Sequence, residues 1–357
     1  MTNPKKTKIF LSGLLLEELQ AQCLAWGFEA YRAQQILDGV YRRGNKDVSE
    51  ISNLPKKLKE ILKSEVQIHD LSVVERAHSK MDQSVKYLFR LSDDEMVEAV
   101  WMPQARFKTI CVSTQVGCPM KCSFCASGQV KFKRHLETHE MVGQILAIVA
   151  DLKKGERPGH IVFMGMGEPL LNFDNLVKTL QILKAPWGLG IGARKITVST
   201  VGYVPGILKW IEAGEALSQV RLSISLHATQ DRIRSQIMQI NDQYSLSTLM
   251  AVLKKYSEST SRRVTFEYVL LKDVNDRVSD ARALASMVQN IAHSINVIEY
   301  NPIEGTQLER SLHGESFVAE LRALGVAVTY RRSKGRDIEA ACGQLRGAFL
   351  KRTKVGE

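Results

Sequence analysis

Three thiols fall within eight residues of this chain, in Cys118-Pro-Met-Lys-Cys122-Ser-Phe-Cys125. A C-x3-C-x2-C run can hold one metal centre but supplies too few ligands to close it. Structural zinc takes four protein ligands, and cuboidal [4Fe–4S] clusters usually take four Cys. Three thiolates on a four-iron cluster would leave one iron free for a small molecule. Phe124 and the small turn Ala126-Ser127-Gly128 fit a cofactor packed against the loop. The spacing also admits a zinc knuckle completed by His135 or His139. A disulfide framework is disfavoured, because three crowded thiols cannot all pair.

Other reactive residue types lie far from this run. Cys342 sits in the basic stretch Gly335-Arg-Asp-Ile-Glu-Ala-Ala-Cys-Gly-Gln-Leu345; taken singly it reads as inert, although cationic neighbours can favour a thiolate. Cys23, beside Leu19 and Trp26, reads as a small buried hydrophobe. Glu98 interrupts the apolar run Met96–Trp101, and the alternation alone reads it as a solvent-facing strand residue.

Bringing these groups together requires a scaffold, and the periodicity supplies one. From about residue 105 the chain alternates strand and helix. Strands are expected at 107–113, 160–164, 195–200, 219–226, 263–271 and 294–300, with helices near 138–151, 173–184, 203–213, 245–257 and 279–292. This is an α/β pattern implying a parallel sheet, curled into an open β/α barrel. Sites in such folds gather at the C-terminal ends of the strands. The polar motifs obey that rule. The three Cys follow the first strand, Gly165-Met-Gly167-Glu168-Pro169 the second, Ser199-Thr-Val-Gly202 the third, Ser225-Leu226-His227 the fourth and Asn301-Pro302 the sixth. Each alone is ordinary turn chemistry; five at one end form a small-molecule pocket.

Residues 71–102 alternate as strands, and residues 12–64 read as a small helical module. There Ala33, Ile36, Leu37, Val40 and Tyr41 form one buried face, and Leu54, Leu58, Ile61 and Leu62 another. With 357 residues, the expected organisation is a helical accessory domain (1–70), a strand-rich connector (71–104), a core (105–332) and a basic C-terminal segment (333–357). The formal charge of +11 points to a polyanionic partner, nucleic acid before membrane. Basic residues cluster at Arg42, Arg43, Lys46, Lys56, Lys57, Lys59 and Lys63, and again at Arg331, Arg332, Lys334, Arg336, Arg346, Lys351, Arg352 and Lys354. No apolar run approaches the roughly 20 residues that span a bilayer, and the start lacks a signal-peptide core. A cytoplasmic location without membrane contact is expected.

In combination, Cys111-Val-Ser-Thr-Gln-Val-Gly-Cys118, the Cys triplet, Gly165–Pro169, Ile196–Gly202, Ser225-Leu-His-Ala228 and Ala341-Cys-Gly-Gln-Leu345 resemble the RlmN/Cfr family of radical S-adenosylmethionine (SAM) RNA methyltransferases. The likeness covers nearly the whole chain. It implies a radical SAM open barrel with one [4Fe–4S] cluster on Cys118, Cys122 and Cys125, and SAM bound at the free iron. It also implies that Gly167 and Glu168 meet the SAM amino group, while Ser199, Ser225, Leu226, His227 and Asn301 line its ribose, carboxylate or adenine. Cys342 would carry the methyl group, Glu98 would accept a proton, and Cys111 would release the product through a transient disulfide. The implied substrates are 23S rRNA and tRNA, methylated at adenine C2, with an electron donor such as a flavodoxin or ferredoxin system. Lys131, His135 and Glu299 depart from residues common in the family. Alternatives are a C8-methylating Cfr-type enzyme, a radical SAM glycyl-radical activase and a zinc-containing RNA-binding protein.

Overall fold

The computed structural model describes residues 8–104 and 108–348. Phe107, Lys351, Arg352 and Lys354 lie outside the described residues. One ten-stranded sheet dominates, with strands adjacent in chain order: β1 (Ser72–His78), β2 (Val85–Arg90), β3 (Met96–Pro103), β4 (Lys108–Cys111), β5 (His160–Phe163), β6 (Ile196–Thr200), β7 (Arg221–Ser225), β8 (Val264–Leu270), β9 (His293–Glu299) and β10 (Val328–Arg331). Strands β1 to β4 pair antiparallel, and β4 to β10 pair parallel. The edges β1 and β10 do not meet, so the sheet is open.

Alternation along the strands decides what faces inward. In β6, Ile196, Val198 and Thr200 are buried while Thr197 and Ser199 remain half-buried. Parallel register sets Ser199 beside Ser223, Ser225 beside Glu267, and Glu267 beside Asn296. The interior therefore carries a polar row, and the apolar sides pack against the helices. The expected core strands and helices all form. The structure adds β10 and the helices Asp231–Ile237 and Gly314–Ala323.

The front module comprises helices Leu16–Ala25, Arg32–Leu37 and Lys56–Glu65. Its two expected apolar faces are buried, Ile61 only partly, and so is Cys23. Val142 and Ile182, from helices Thr138–Asp151 and Phe173–Lys184 on the sheet, complete the module's core. At the same joint His139 stacks on Phe10, with ring centroids 4.2 Å apart, and its Nε2 lies 3.2 Å from Asp70. Arg42, Arg43, Lys46, Lys56, Lys57 and Lys63 are exposed. No helix among the described residues is long and apolar enough to cross a membrane.

Ile182 is fully buried in the joint, so Ile182→Ala removes packing shared by module and sheet. Urea unfolding should show a loss of about 2–5 kcal/mol. A loss below about 0.5 kcal/mol, the range of surface substitutions, would contradict the joint.

Candidate active site

One cavity opens at the C-terminal ends of the parallel strands. Cys111, at the end of β4, lines it with Cys118, Cys122 and Cys125 from the following loop. Gly167, Glu168, Ser199, Ser225, His227, Asn301 and Cys342 face the same space. Two of the expected site residues do not line it. Leu226 is fully buried in the core, and only its backbone works at the site: its N–H donates to Glu267 O at 3.1 Å, and its carbonyl accepts from Arg234 Nε at 3.0 Å. Glu98 is also fully buried, which overturns the solvent-facing reading from alternation. The C-terminal segment covers it. Glu98 Oε2 accepts the backbone N–H groups of Arg346 (2.6 Å) and Gly347 (3.0 Å), while Oε1 meets Lys86 Nζ at 2.9 Å.

The Cys loop is braced by its neighbours. Cys125 N–H donates to Cys122 O (3.2 Å), and Ser123 N–H donates to Ile237 O (3.0 Å). At Gly128 a Cβ would meet the Cys122 backbone at 2.9 Å, so the loop closes only on glycine. Gly167 has φ near +104°, and a Cβ there would meet the Gln115 side chain at 2.6 Å. The next residue, Glu168, accepts Leu170 N–H (3.0 Å) on Oε1 and Val201 N–H (2.9 Å) on Oε2. Burial pushes its carboxyl up to about 7. His227 adopts the left-handed region, φ near +59°, where its Nδ1 accepts Val269 N–H at 3.1 Å. Burial pushes its imidazole down to about 3, so it stays neutral. The edge of Phe124 meets its ring, with centroids 4.7 Å apart.

The donor set suits a polynuclear centre. In a tetrahedral zinc site with Zn–S near 2.3 Å, ligand sulfurs sit roughly 3.8 Å apart. The sulfurs of Cys118, Cys122 and Cys125 are not gathered within 4.8 Å. His135 bonds to Gln115 (3.0 Å), and His139 belongs to the module joint, so neither lines the cavity. Burial raises all three thiols, Cys118 to about 12. Metal charge would be needed to hold them as thiolates. Asp70, His139 and Glu140 form another compact group of metal-ligand types, but Arg134 occupies both Glu140 oxygens at 2.8 Å.

The segment carrying Cys342 runs from β10 toward the β1–β2 hairpin. Asp337 accepts from Ser79 Oγ (2.7 Å) and Lys80 N–H (2.8 Å), and Asp82 accepts Gly335 N–H (2.8 Å). Asn301 Nδ2 holds Cys342 O at 3.1 Å, and Ala126 N–H holds Gly343 O at 2.7 Å. Cys342 itself is an exposed residue that lines the cavity. The surrounding protein nevertheless pushes its thiol up to about 11, because desolvation outweighs nearby Arg331. Burial takes Cys111 up to about 12, with Cys342 adding to the rise.

Sequence reasoning missed three polar groups here. Glu267 lines the cavity from β8; its Oε1 accepts from Ser223 Oγ (2.7 Å) and Asn296 Nδ2 (3.1 Å), while Oε2 has no hydrogen-bond partner. A carboxylate inside the apolar run Val264–Leu271 was the available signal. Arg331 lines the cavity from β10, within the basic run. Arg234 is buried behind the strand ends. Glu299, one of the departures noted above, also lines the cavity and is held by Tyr330 Oη (3.2 Å) and Arg336.

An open parallel sheet with a C-x3-C-x2-C loop after its first parallel strand defines a radical SAM protein. Residues 112–285 match the Radical SAM superfamily model, and residues 9–68 match the ribosomal RNA large subunit methyltransferase N-terminal domain. The chain is 41% identical over 348 residues to a probable dual-specificity RNA methyltransferase RlmN of Heliobacterium modesticaldum, covering 95% of this chain and 89% of that one. A Thermotoga maritima protein of the same description is 41% identical, covering 96% and 98%. A radical SAM methyltransferase from Sphaerobacter thermophilus superposes with TM-score 0.91 at 38% identity, covering 95% of this chain and 100% of that one. The chain belongs to the RlmN family of radical SAM RNA methyltransferases.

The buried neutral His227 sets a pH dependence. Its folded pKa lies below the unfolded value of 6.5, so its contribution is present above pH 6.5 and is lost as pH falls toward 3. From this group alone, stability should drop by about 2 kcal/mol between pH 7 and pH 5. In His227→Asn, which keeps an acceptor, the drop over that interval should shrink correspondingly. Urea unfolding at both pH values checks this, and an unchanged slope would contradict it.

Proposed function

We propose that this protein is a cytoplasmic enzyme that methylates C2 of an adenine in 23S rRNA and of an adenine beside the tRNA anticodon. It uses a [4Fe–4S] cluster on Cys118, Cys122 and Cys125, SAM, and electrons from a flavodoxin or ferredoxin system. The observation that carries the reading is the sharing of one cavity by the three-Cys loop and two further thiols, Cys111 and Cys342. A glycyl-radical activase needs neither extra thiol. A mononuclear zinc site needs closer sulfurs.

When bound, cluster and SAM supply a methyl group for a polar step and a 5′-deoxyadenosyl radical for hydrogen abstraction. Cys342, which lines the cavity, gives up its proton and takes the methyl group on sulfur. After one hydrogen atom leaves that methyl group, its carbon bonds to adenine C2. The adduct then gives up one electron, which a bound cluster would take back, and Glu98 takes the C2 proton once residues 346–347 release its carboxylate. Cys111 thiolate then attacks the Cys342 sulfur; the sulfur–carbon bond breaks with its electron pair on the methylene carbon, which takes up a proton to become the methyl group, and methylated RNA leaves as a Cys111–Cys342 disulfide forms. Gly167 and Glu168 receive the SAM amino group. Ser199, Ser225, His227 and Asn301 face the rest of SAM, with Leu226 acting through its backbone.

The target base must leave its stack to reach this cavity. The exposed lysines and arginines of the front module suit phosphate binding. In the C-terminal group, Arg336 is held by Glu299, and Arg346 by Glu304 and Glu339.

The two thiols give the test. Cys342→Ala should abolish methylation and form no adduct. Cys111→Ala should complete the steps through carbon–carbon bond formation and stall with RNA covalently attached at Cys342. Denaturing gels and peptide mass spectrometry distinguish the outcomes, and normal turnover by Cys111→Ala would refute its role. Fragment masses of the adduct nucleotide separate attachment at C2 from attachment at C8.

A further inference from the structure

Arg234 lies on the helix Asp231–Ile237 and is 1% exposed. All three nitrogens of its guanidinium donate to neutral acceptors. Nε donates to Leu226 O (3.0 Å), Nη1 to Asn241 Oδ1 (3.1 Å), and Nη2 to Val201 O (2.7 Å) and Ser225 O (3.2 Å). No carboxylate among the described residues forms a direct ion pair with it. Asp231 accepts from the Asn241 amide at 3.0 Å and acts on Arg234 through space, without a direct ion pair. Burial pulls Arg234 down to about 10, which leaves it charged at neutral pH. A buried charge without a paired anion is costly, so a fold that keeps one calls for a compensating charge.

The anion side is close by. The same short helix backs the three-Cys loop, since Ile237 O accepts Ser123 N–H at 3.0 Å. Cys122 packs with Ile237 and Met238 in one apolar cluster. The Val201 peptide links the guanidinium to the site from the other side: its carbonyl accepts from Arg234, and its N–H donates to Glu168 Oε2 at 2.9 Å.

We propose that Arg234 is the resident counter-charge of the iron–sulfur centre, fixing the ends of β6 and β7 by their carbonyls while favouring the centre's reduced state. The inference rests on the iron–sulfur reading of the loop. A cluster held by three thiolates is anionic, and reduction adds one further negative charge. A fixed cation in a low-dielectric surround stabilises the more negative state. Arg234 touches neither substrate nor reacting atoms in this account; it is a positioning residue. Its effect falls on the one-electron step that precedes SAM cleavage.

The test uses full-length protein, reconstituted anaerobically with iron and sulfide and titrated potentiometrically under electron paramagnetic resonance. Arg234→Gln removes the charge but keeps some donors; Arg234→Lys keeps the charge but loses the fork. Circular dichroism and iron content establish folding and loading. Arg234→Gln should be harder to reduce by about tenfold, a potential about 59 mV more negative for one electron, while Arg234→Lys stays near wild type. A fully loaded Arg234→Gln with wild-type potential would overturn the proposal. Equal shifts in both variants would also overturn it, because hydrogen-bond geometry would then be the cause. Should Arg234→Gln fail to fold, the Lys variant decides alone: wild-type potential supports the proposal, and a tenfold shift overturns it. Wild-type protein that takes up no iron and sulfide would instead sink the iron–sulfur reading itself.

Discussion

The site depends on the C-terminal segment being strapped across the open sheet. A sheet whose edges do not pair leaves its interior open, and the stretch 335–347 bridges from β10 toward β1 and β2. Its anchors are side chains on other elements: Ser79 on Asp337, Asp82 on Gly335, Asn301 on Cys342, Ser127 on Leu345 and Glu98 on residues 346–347. Glycine at 347 permits the last approach, since a Cβ there would meet Met96 O at 2.6 Å. Without the strap Cys342 would not face the three-Cys loop, although the two lie more than 200 residues apart in sequence.

That arrangement concentrates ionisable groups where water is scarce, and each is handled by a local device. Glu98 is paired with Lys86 and capped by backbone N–H groups, Glu168 accepts two backbone N–H groups, and Arg234 is wrapped in neutral acceptors. Glu267 keeps one oxygen without a hydrogen bond. Burial raises every thiol in the cavity, so thiolate chemistry here must draw on charge brought by cofactor or substrate. The closure of Glu98 under residues 346–347 adds a condition: a proton-accepting role requires the strap to loosen near its end.

Much of this was legible in the chain. The parallel strands and their helices follow from periodicity, and the rule that sites lie at strand ends brought Gly167, Glu168, Ser199, Ser225, His227 and Asn301 to one cavity. What escaped has physical reasons. The strand Val328–Arg331 is short and runs into basic residues, which mask its alternation. The helix Asp231–Ile237 buries only Arg234 and Ile237, so it shows no apolar stripe. Glu98 was misread because alternation says which face a strand residue takes but not what covers that face. Glu267 carried the same signal, a carboxylate in an apolar run, and went unremarked. Leu226 was included on resemblance, but just past the end of β7 its side chain is buried in the core and does not line the cavity.

The central claim is that three thiolates hold a four-iron cluster whose remaining iron binds SAM. Electron–nuclear double resonance on the reduced, reconstituted protein with SAM labelled at its amino nitrogen or carboxylate oxygen tests it directly. The account predicts hyperfine coupling of both labels to the cluster. Stoichiometric zinc in place of iron, or a reduced cluster showing no coupling to either label under saturating SAM, would contradict it.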